Sequence, residues 1–229
     1  EALEINIEEK NIISFVGGGG KTTSIYTLAK ELSKLGKKVV VTTTTHMHMP
    51  EDFIDFKGNV NEIIERFKSE NLITVGIKDR DGKFVGGGEK IAEKLINLCD
   101  FLLIEADGAR MHPLKAPANY EPVILKNTTM VVGVAGIDSL FKSINKICHR
   151  PEQVCKVLSK NYNHKINTKD IANILGSEEG QRKNVKDCFN AEYRAIINKV
   201  DNDELLIYAK EICKYLYENN IKGVITSYK

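Results

Sequence analysis

No apolar run in this sequence approaches the roughly 20 residues that a helix needs to cross a bilayer, and its five cysteines include no C-x-x-C pair. Neither charge is in excess. The 33 basic and 31 acidic side chains leave a formal net charge of +2, too weak a field to favour nucleic acid or an anionic membrane as the main partner. Prolines number 5 against 17 glycines, and we find no low-complexity tract or internal repeat. The polar opening EALEINIEEK does not read as a signal peptide. These absences predict a cytoplasmic protein with no membrane and no nucleic-acid partner. Cys99, Cys148, Cys155, Cys188 and Cys213 are scattered and read as reduced thiols, not as a disulfide framework or a cysteine-based zinc site.

What is present fits an ordinary globular chain. With 42% hydrophobic and 28% charged residues over 229 positions, it suits one α/β unit carrying an insertion or a small lobe. NIISFV (11–16) is a short apolar run, followed by glycines and then by apolar residues at helical spacing over 23–35. That is strand, glycine loop, helix. A β-branched stretch at 39–42 completes a first βαβ unit. The pattern continues with a helix at 60–69, a strand at 72–77, a hairpin turn at Asp81-Gly82, a helix over EKIAEKLINL, and unbroken apolar strands at 101–104 and 130–136. Unbroken apolar runs mark strands covered on both faces. Short helices then occupy 139–190, before a strand at 195–200, a helix at 203–217 and a last strand GVITS. We expect a mainly parallel, doubly wound, P-loop NTPase-like sheet. Its expected parts are a core over 1–138, a helical insertion or lid over 139–190, and a β-α-β completion over 191–229.

The chemistry starts at FVGGGGKTT. In a phosphate loop, glycines let backbone N–H groups face phosphate oxygens at a helix N-terminus. Gly17, Gly18, Gly19 and Gly20 would form the cradle, Lys21 would contact the transferring phosphoryl group, Thr22 would ligate Mg²⁺, and Thr23 follows in the first turn. Phe15 stands where the usual loop has its first glycine, which shortens the loop to G-x-x-G-K-T, a spacing that resembles the Mur peptidoglycan ligases. The plainer alternative is a glycine-rich turn with an exposed lysine. A metal-dependent phosphate site also needs a carboxylate at a neighbouring strand end, and FLLIEADG supplies Glu105 and Asp107. Glu105-x-x-Gly108 resembles the E-x-x-G variant of the GTPases that mature urease and hydrogenase. AIINKVD offers Asn198, Lys199 and Asp201 as N-K-x-D, in which an aspartate accepts the paired N–H donors of guanine. Thr226 to Lys229 in VITSYK resembles the S-A-K loop that backs guanine in GTPases.

Other residues carry weaker signals. TTTTHMHMP leaves the second strand beside the phosphate loop, with no obvious switch threonine among Thr42 to Thr45. His46 and His48 could bind a soft metal, or lie on a polar loop. The long loop from Asp107 to Pro122 holds Arg110, His112, Lys115 and Glu121; Arg110 or Lys115 could meet an anion or acidic substrate, or the loop could be solvated and ordered by its prolines. His149 and Arg150 of CHRPEQ could touch a second substrate, or precede a helix that Pro151 starts.

In this order, VGGGGKTT, VTTTTHM, IEADGA, KAPANYEPVI, HRPE and INKVD resemble the YqeC family of accessory proteins for selenium-dependent molybdenum hydroxylases. The resemblance implies a nucleotide-binding protein that acts in maturation of such an enzyme or its cofactor. Mg²⁺ and GTP, with ATP as the alternative, are the expected cofactor and substrate. Lys21, Glu105 and Asp107 are the expected catalytic residues, and Thr22, Glu105 and Asp107 the expected metal ligands. Two other readings stay open: a kinase or nucleotidyltransferase acting on a small molecule or molybdopterin-type cofactor, and a metal or cofactor carrier. Besides the nucleotide, the expected partners are a molybdenum hydroxylase or molybdopterin cofactor, with a homodimer left open.

Overall fold

Every residue of NIISFVG is buried, and its side chains divide by parity as a strand requires. Ile13 and Phe15 pack with Ile25, Ala29 and Leu32 on one face of a sheet, while Ile12 packs with Val40, Leu95 and Leu102 on the other. Phe15 thus belongs to the core, where burying such a side chain contributes about 1.5–3 kcal/mol.

A computed structural model describes residues 2–228. In chain order the elements are β1 (Asn11–Gly17), α1 (Lys21–Lys34), β2 (Val39–Thr43), β3 (His46–His48), β4 (Phe53–Asp55), α2 (Asn61–Arg66), β5 (Leu72–Lys78), β6 (Lys83–Val85), α3 (Gly88–Leu98) and β7 (Phe101–Glu105). There follow β8 (Leu114–Lys115), β9 (Met130–Gly136), α4 (Ile144–Ile147), β10 (Cys148–His149), α5 (Pro151–Leu158), α6 (Thr168–Gly176), β11 (Glu192–Asn198), α7 (Asp203–Tyr217) and β12 (Lys222–Ile225). The main sheet runs β12-β11-β9-β1-β7-β2-β5-β6-β3, with β4 also on β5. All its pairings are parallel except β5 with β6 and β6 with β3. A small β8-β10 pair lies apart.

The sheet is doubly wound. Helix α1 covers one face, α3 covers the other around β2 and β7, and α6 and α7 cover that second face around β9 and β11. From β1 the chain crosses to β2, returns to β7 and then passes to β9 on the far side of β1. The carboxyl ends of β1 and β9 therefore border a topological switch point, where open α/β sheets hold ligands.

Within 139–190, α6 begins at a capping box in which Asn167 and Asp170 satisfy each other's backbone amides. Its Ile171, Ile174 and Leu175 share one buried cluster with Ala195 and Ile197 of β11 and Ala209 and Ile212 of α7. Residues 46–48, read as loop, form β3 on the sheet edge, paired with β6.

Candidate functional site

The four glycines each meet another part of the chain. Gly18 N–H donates to the Val134 carbonyl at 2.9 Å and Gly19 N–H to the His112 carbonyl at 3.0 Å. Gly19 adopts φ +78, and a Cβ there would stand 2.1 Å from the Gly136 nitrogen; at Gly20, φ +122, a Cβ would stand 2.2 Å from Asn198 Nδ2. Only glycine tolerates that combination of left-handed backbone and contact. Gly17 N–H is 3.1 Å from each carboxylate oxygen of Asp107. The amides of Gly17 to Gly19 are therefore satisfied inside the protein, and the open anion-attracting feature is the N-terminus of α1. Its Gly20 cap offers no side-chain acceptor, and its first turn holds no acidic residue.

Glu105 and Asp107 serve different contacts. Thr22 Oγ1 donates to Glu105 Oε2 at 2.7 Å, which places a hydroxyl and a carboxylate side by side at the helix start. Lys21 is buried and donates to the Gly17 carbonyl at 2.7 Å, with Asp107 Oδ1 at 3.2 Å and Glu105 Oε1 at 3.8 Å. Its ammonium is folded back onto the strand ends. Burial raises the Glu105 pKa above its ordinary value, opposed by Lys21 and Thr22 and reinforced by Asp107. The carboxyl group is thus poised to gain from a cation beside it. Asp107 instead sits between two ammonium groups, with Lys115 Nζ 3.0 Å from its Oδ2.

From there the charges alternate away from the loop. Lys115 is fully buried and donates to Glu121 Oε2 at 2.8 Å and to the Gly108 carbonyl at 2.8 Å. Arg150 grips Glu121 with Nε at 3.2 Å and Nη2 at 3.1 Å, and reaches Tyr120 Oη at 3.0 Å. The series Lys21, Asp107, Lys115, Glu121, Arg150 joins the phosphate loop to the start of α5, and it commits Lys115, Glu121 and Arg150 to internal contacts. Arg110, by contrast, is exposed and makes no ion pair among the described residues.

At the end of β11, Asn198 is a strut. Its Nδ2 donates to the Gly19 carbonyl at 2.8 Å and its Oδ1 accepts from Thr226 Oγ1 at 3.0 Å. Lys199, at φ +66, reaches Asp138 Oδ2 at 2.8 Å. Asp201 is exposed, and one of its oxygens accepts from Ser227 Oγ at 2.6 Å. The TSYK end thus backs the N-K-x-D residues through Thr226 and Ser227, while Lys229 lies outside the described residues. Tyr228 also ties down, donating to Ser24 Oγ at 3.1 Å.

Two residues of this region carried no sequence signal. Gln181 is buried, donates to the Val134 carbonyl at 3.1 Å, and has its Oε1 where a Gly17 Cβ would stand, 2.4 Å away. Asp138 is the partner of Lys199. Neither falls in a recognisable motif, since each acts through a contact with a segment distant in sequence. Thr23 is exposed in the first turn. Thr43 Oγ1 is committed to the Glu105 carbonyl at 2.7 Å and Thr44 Oγ1 to the Val123 carbonyl at 2.8 Å. His46 and His48 lie on the exposed side of β3, where His46 Nε2 is 3.2 Å from Asp79. Among the described residues no group of three or more histidine, cysteine, aspartate or glutamate side chains could hold a metal ion, and no helix is long and apolar enough to cross a membrane. Burial pushes the Cys99 and Cys148 thiols up to about 12, so both stay protonated at neutral pH.

The sheet order, the glycine loop between β1 and α1 and the acidic end of β7 define a P-loop NTPase-like α/β protein. A family model described as YqeC protein matches residues 13–152, more than half of the chain, and the chain belongs to that family. It is 29% identical to a protein of Escherichia coli (strain K12) described as "Uncharacterized protein YqeC", over 93% of this chain and 85% of the relative. Among solved structures it is similar to FtsY from Mycoplasma mycoides at 14% identity and a TM-score of 0.33, covering 93% of this chain and 51% of that one. The chain thus spans about half of FtsY, a likeness too distant to bear on function.

Proposed function

We propose that the protein binds a nucleoside triphosphate with Mg²⁺ at the N-terminus of α1 and hydrolyses it, with GTP preferred over ATP. The observation that carries this reading is the contact between Thr22 Oγ1 and Glu105 Oε2 at 2.7 Å, next to the buried Lys21. Hard oxygen donors at this spacing fit Mg²⁺, whose octahedral ligands at about 2.0–2.1 Å lie roughly 3 Å from one another. Mg²⁺ sites of this kind use one or two carboxylates together with substrate phosphates and water, so a large all-protein ligand set is not needed. When bound, the ion would neutralise charge on the phosphates. Thr22 and Glu105 would hold it, and Asp107 would keep Gly17 in place.

Lys21 is the group that must move. Its ammonium would exchange the carboxylates for phosphate oxygens, where it stabilises charge on the transferring phosphoryl group. The open first-turn amides of α1 favour the same anion. At the other end, Asp201 would accept the paired donors of guanine, oriented by Ser227, while the Lys199 stem lies along the ring. Membership of the family, together with the resemblance that prompted it, supports a role as an accessory factor in maturation of a selenium-dependent molybdenum hydroxylase or its cofactor. Competition between GTP and ATP tests the base assignment. Asp201→Asn should move preference towards xanthosine triphosphate, and equal affinity of the parent protein for GTP and ATP would remove the guanine reading.

A further inference from the structure

On the rim of the phosphate loop His112 meets His149 from a separate segment, and the side chains of these two and of Arg110, whose carbonyl lies against the His112 ring, have no role in the site described above. His112 and His149 stack with ring centroids 5.7 Å apart and planes inclined by 33°. The β8-β10 pairing brings them together by setting His149 opposite Lys115. His112 Nδ1 lies 3.2 Å from the Ala109 carbonyl and 3.0 Å from the Arg110 carbonyl. Carbonyls only accept, so Nδ1 carries a proton, and Nε2 lies outside these two contacts. Among the described residues the ring nitrogens of His149 make no hydrogen bond, although the ring is only half-buried.

The electrostatics around this pair are lopsided. Burial, Lys115, Arg150 and His112 lower the His149 pKa to about 4, against the opposite pull of Glu121. The imidazole is therefore neutral at physiological pH and able to donate from one nitrogen and accept at the other. Lys115 and Arg150 are already neutralised by Asp107 and Glu121. Arg110 has no such partner among the described residues: it is exposed at a tip where it and Met111 both hold left-handed backbone, φ +45 and φ +63. Such strain in non-glycine residues persists only where surrounding contacts impose it, and here His112 clamps the turn through the two carbonyls.

We propose that His112, His149 and Arg110 form a second ligand site, for a small molecule that carries a phosphate or carboxylate group. Arg110 would grip the oxyanion in the forked geometry its guanidinium favours. The two imidazoles would hydrogen-bond an adjoining hydroxyl. Because the His112 carbonyl accepts from Gly19 N–H, the occupant would lie against the phosphate loop, as an acceptor or co-ligand must. The site borders the proposed nucleotide site, but its test needs no nucleotide.

The test follows the imidazole signals of His112 and His149 in ¹H–¹³C spectra while inorganic phosphate, and separately acetate, is titrated into the full chain. The parent and Lys21→Ala, which disables the phosphate loop, should both show saturable shifts of the two rings with at least one anion. Arg110→Ala should bind that anion about tenfold more weakly, the effect of losing one charged hydrogen-bonding group. Phosphate alone shifting the rings would assign a phosphate-bearing ligand, and acetate alone a carboxylate. The proposal is overturned if neither anion gives a saturable shift, if the response survives Arg110→Ala unchanged, or if it disappears in a folded Lys21→Ala variant. Should Lys21→Ala fail to fold, the comparison of Arg110→Ala with the parent decides alone.

Discussion

Lys115→Met removes the centre of the buried charge series and separates a structural role from a substrate-contacting one. The ammonium has no exposure, and it faces Asp107 at 3.0 Å, Glu121 at 2.8 Å and the Gly108 carbonyl at 2.8 Å. Asp107 and Glu121 are themselves 2% and 8% exposed, so neither carboxylate can recover full hydration when its partner is lost. Breaking such a pair from one side typically costs about 3–5 kcal/mol, mostly through the uncompensated charge left behind. Domains have about 5–15 kcal/mol in total, so the loss is a large fraction of the whole. For a chain of this size it corresponds to a fall of about 6–20 °C in Tm. Urea and thermal unfolding of Lys115→Met should show this, whereas Arg110→Ala, at an exposed position, should stay within about 0.5 kcal/mol of the parent. A Lys115→Met protein within about 1 kcal/mol of the parent would instead mean that these carboxylates are solvated in the folded chain and that the series is not structural.

Glu105 is held above its ordinary pKa, so the folded chain binds this proton more tightly than the unfolded one and loses relative stability as pH rises through the shifted value. Glu105→Gln should therefore stabilise the nucleotide-free protein at neutral pH, by a margin that shrinks as pH falls towards 4.5, the group's ordinary value; unfolding midpoints across pH check the sign. The same variant should lose any stabilisation by Mg²⁺ with nucleotide. His149 has the reverse linkage: its pKa is lowered to about 4 from 6.5, so unfolding takes up a proton in that window and stability falls as pH drops from 6.5 to 4. His149→Gln should flatten that part of the pH–stability profile, and an unchanged profile would count against the neutral ring. Asn198→Ala leaves the Gly19 carbonyl and Thr226 without their partner, a cost of about 1–3 kcal/mol. It should weaken GTP and ATP binding alike in an equilibrium titration, without altering the choice between them.

The strands were legible because parallel strands covered on both faces read as unbroken apolar runs. β9 runs over Met130–Gly136 as the pattern predicts, and β7 extends one residue past it, to Glu105. β3 was not legible: its three residues, HMH, alternate within a polar stretch and pair at the sheet edge with β6, where little burial is needed to hold them. The phosphate loop showed in the glycines and Lys21, but not the reason for four glycines in a row. That reason lies in Gln181, His112, Gly136 and Asn198, one against each glycine in turn, whose approach depends on the fold. Glu105 and Asp107 could not be told apart from sequence, since both are carboxylates just past an apolar run. Thr22 reaches the first, and Lys115, distant from Lys21 in sequence, claims the second. Ion pairs of this kind follow from topology and leave no periodicity to read.

Calorimetric titration of GTP with and without Mg²⁺ decides whether Gly20, Lys21, Thr22 and Glu105 form a site for a nucleoside triphosphate with Mg²⁺. The parent should bind GTP with an affinity that depends on Mg²⁺, and a folded Lys21→Ala variant should not bind it measurably. GTP affinity that is the same in both proteins, or absent from the parent with Mg²⁺ present, would contradict the account.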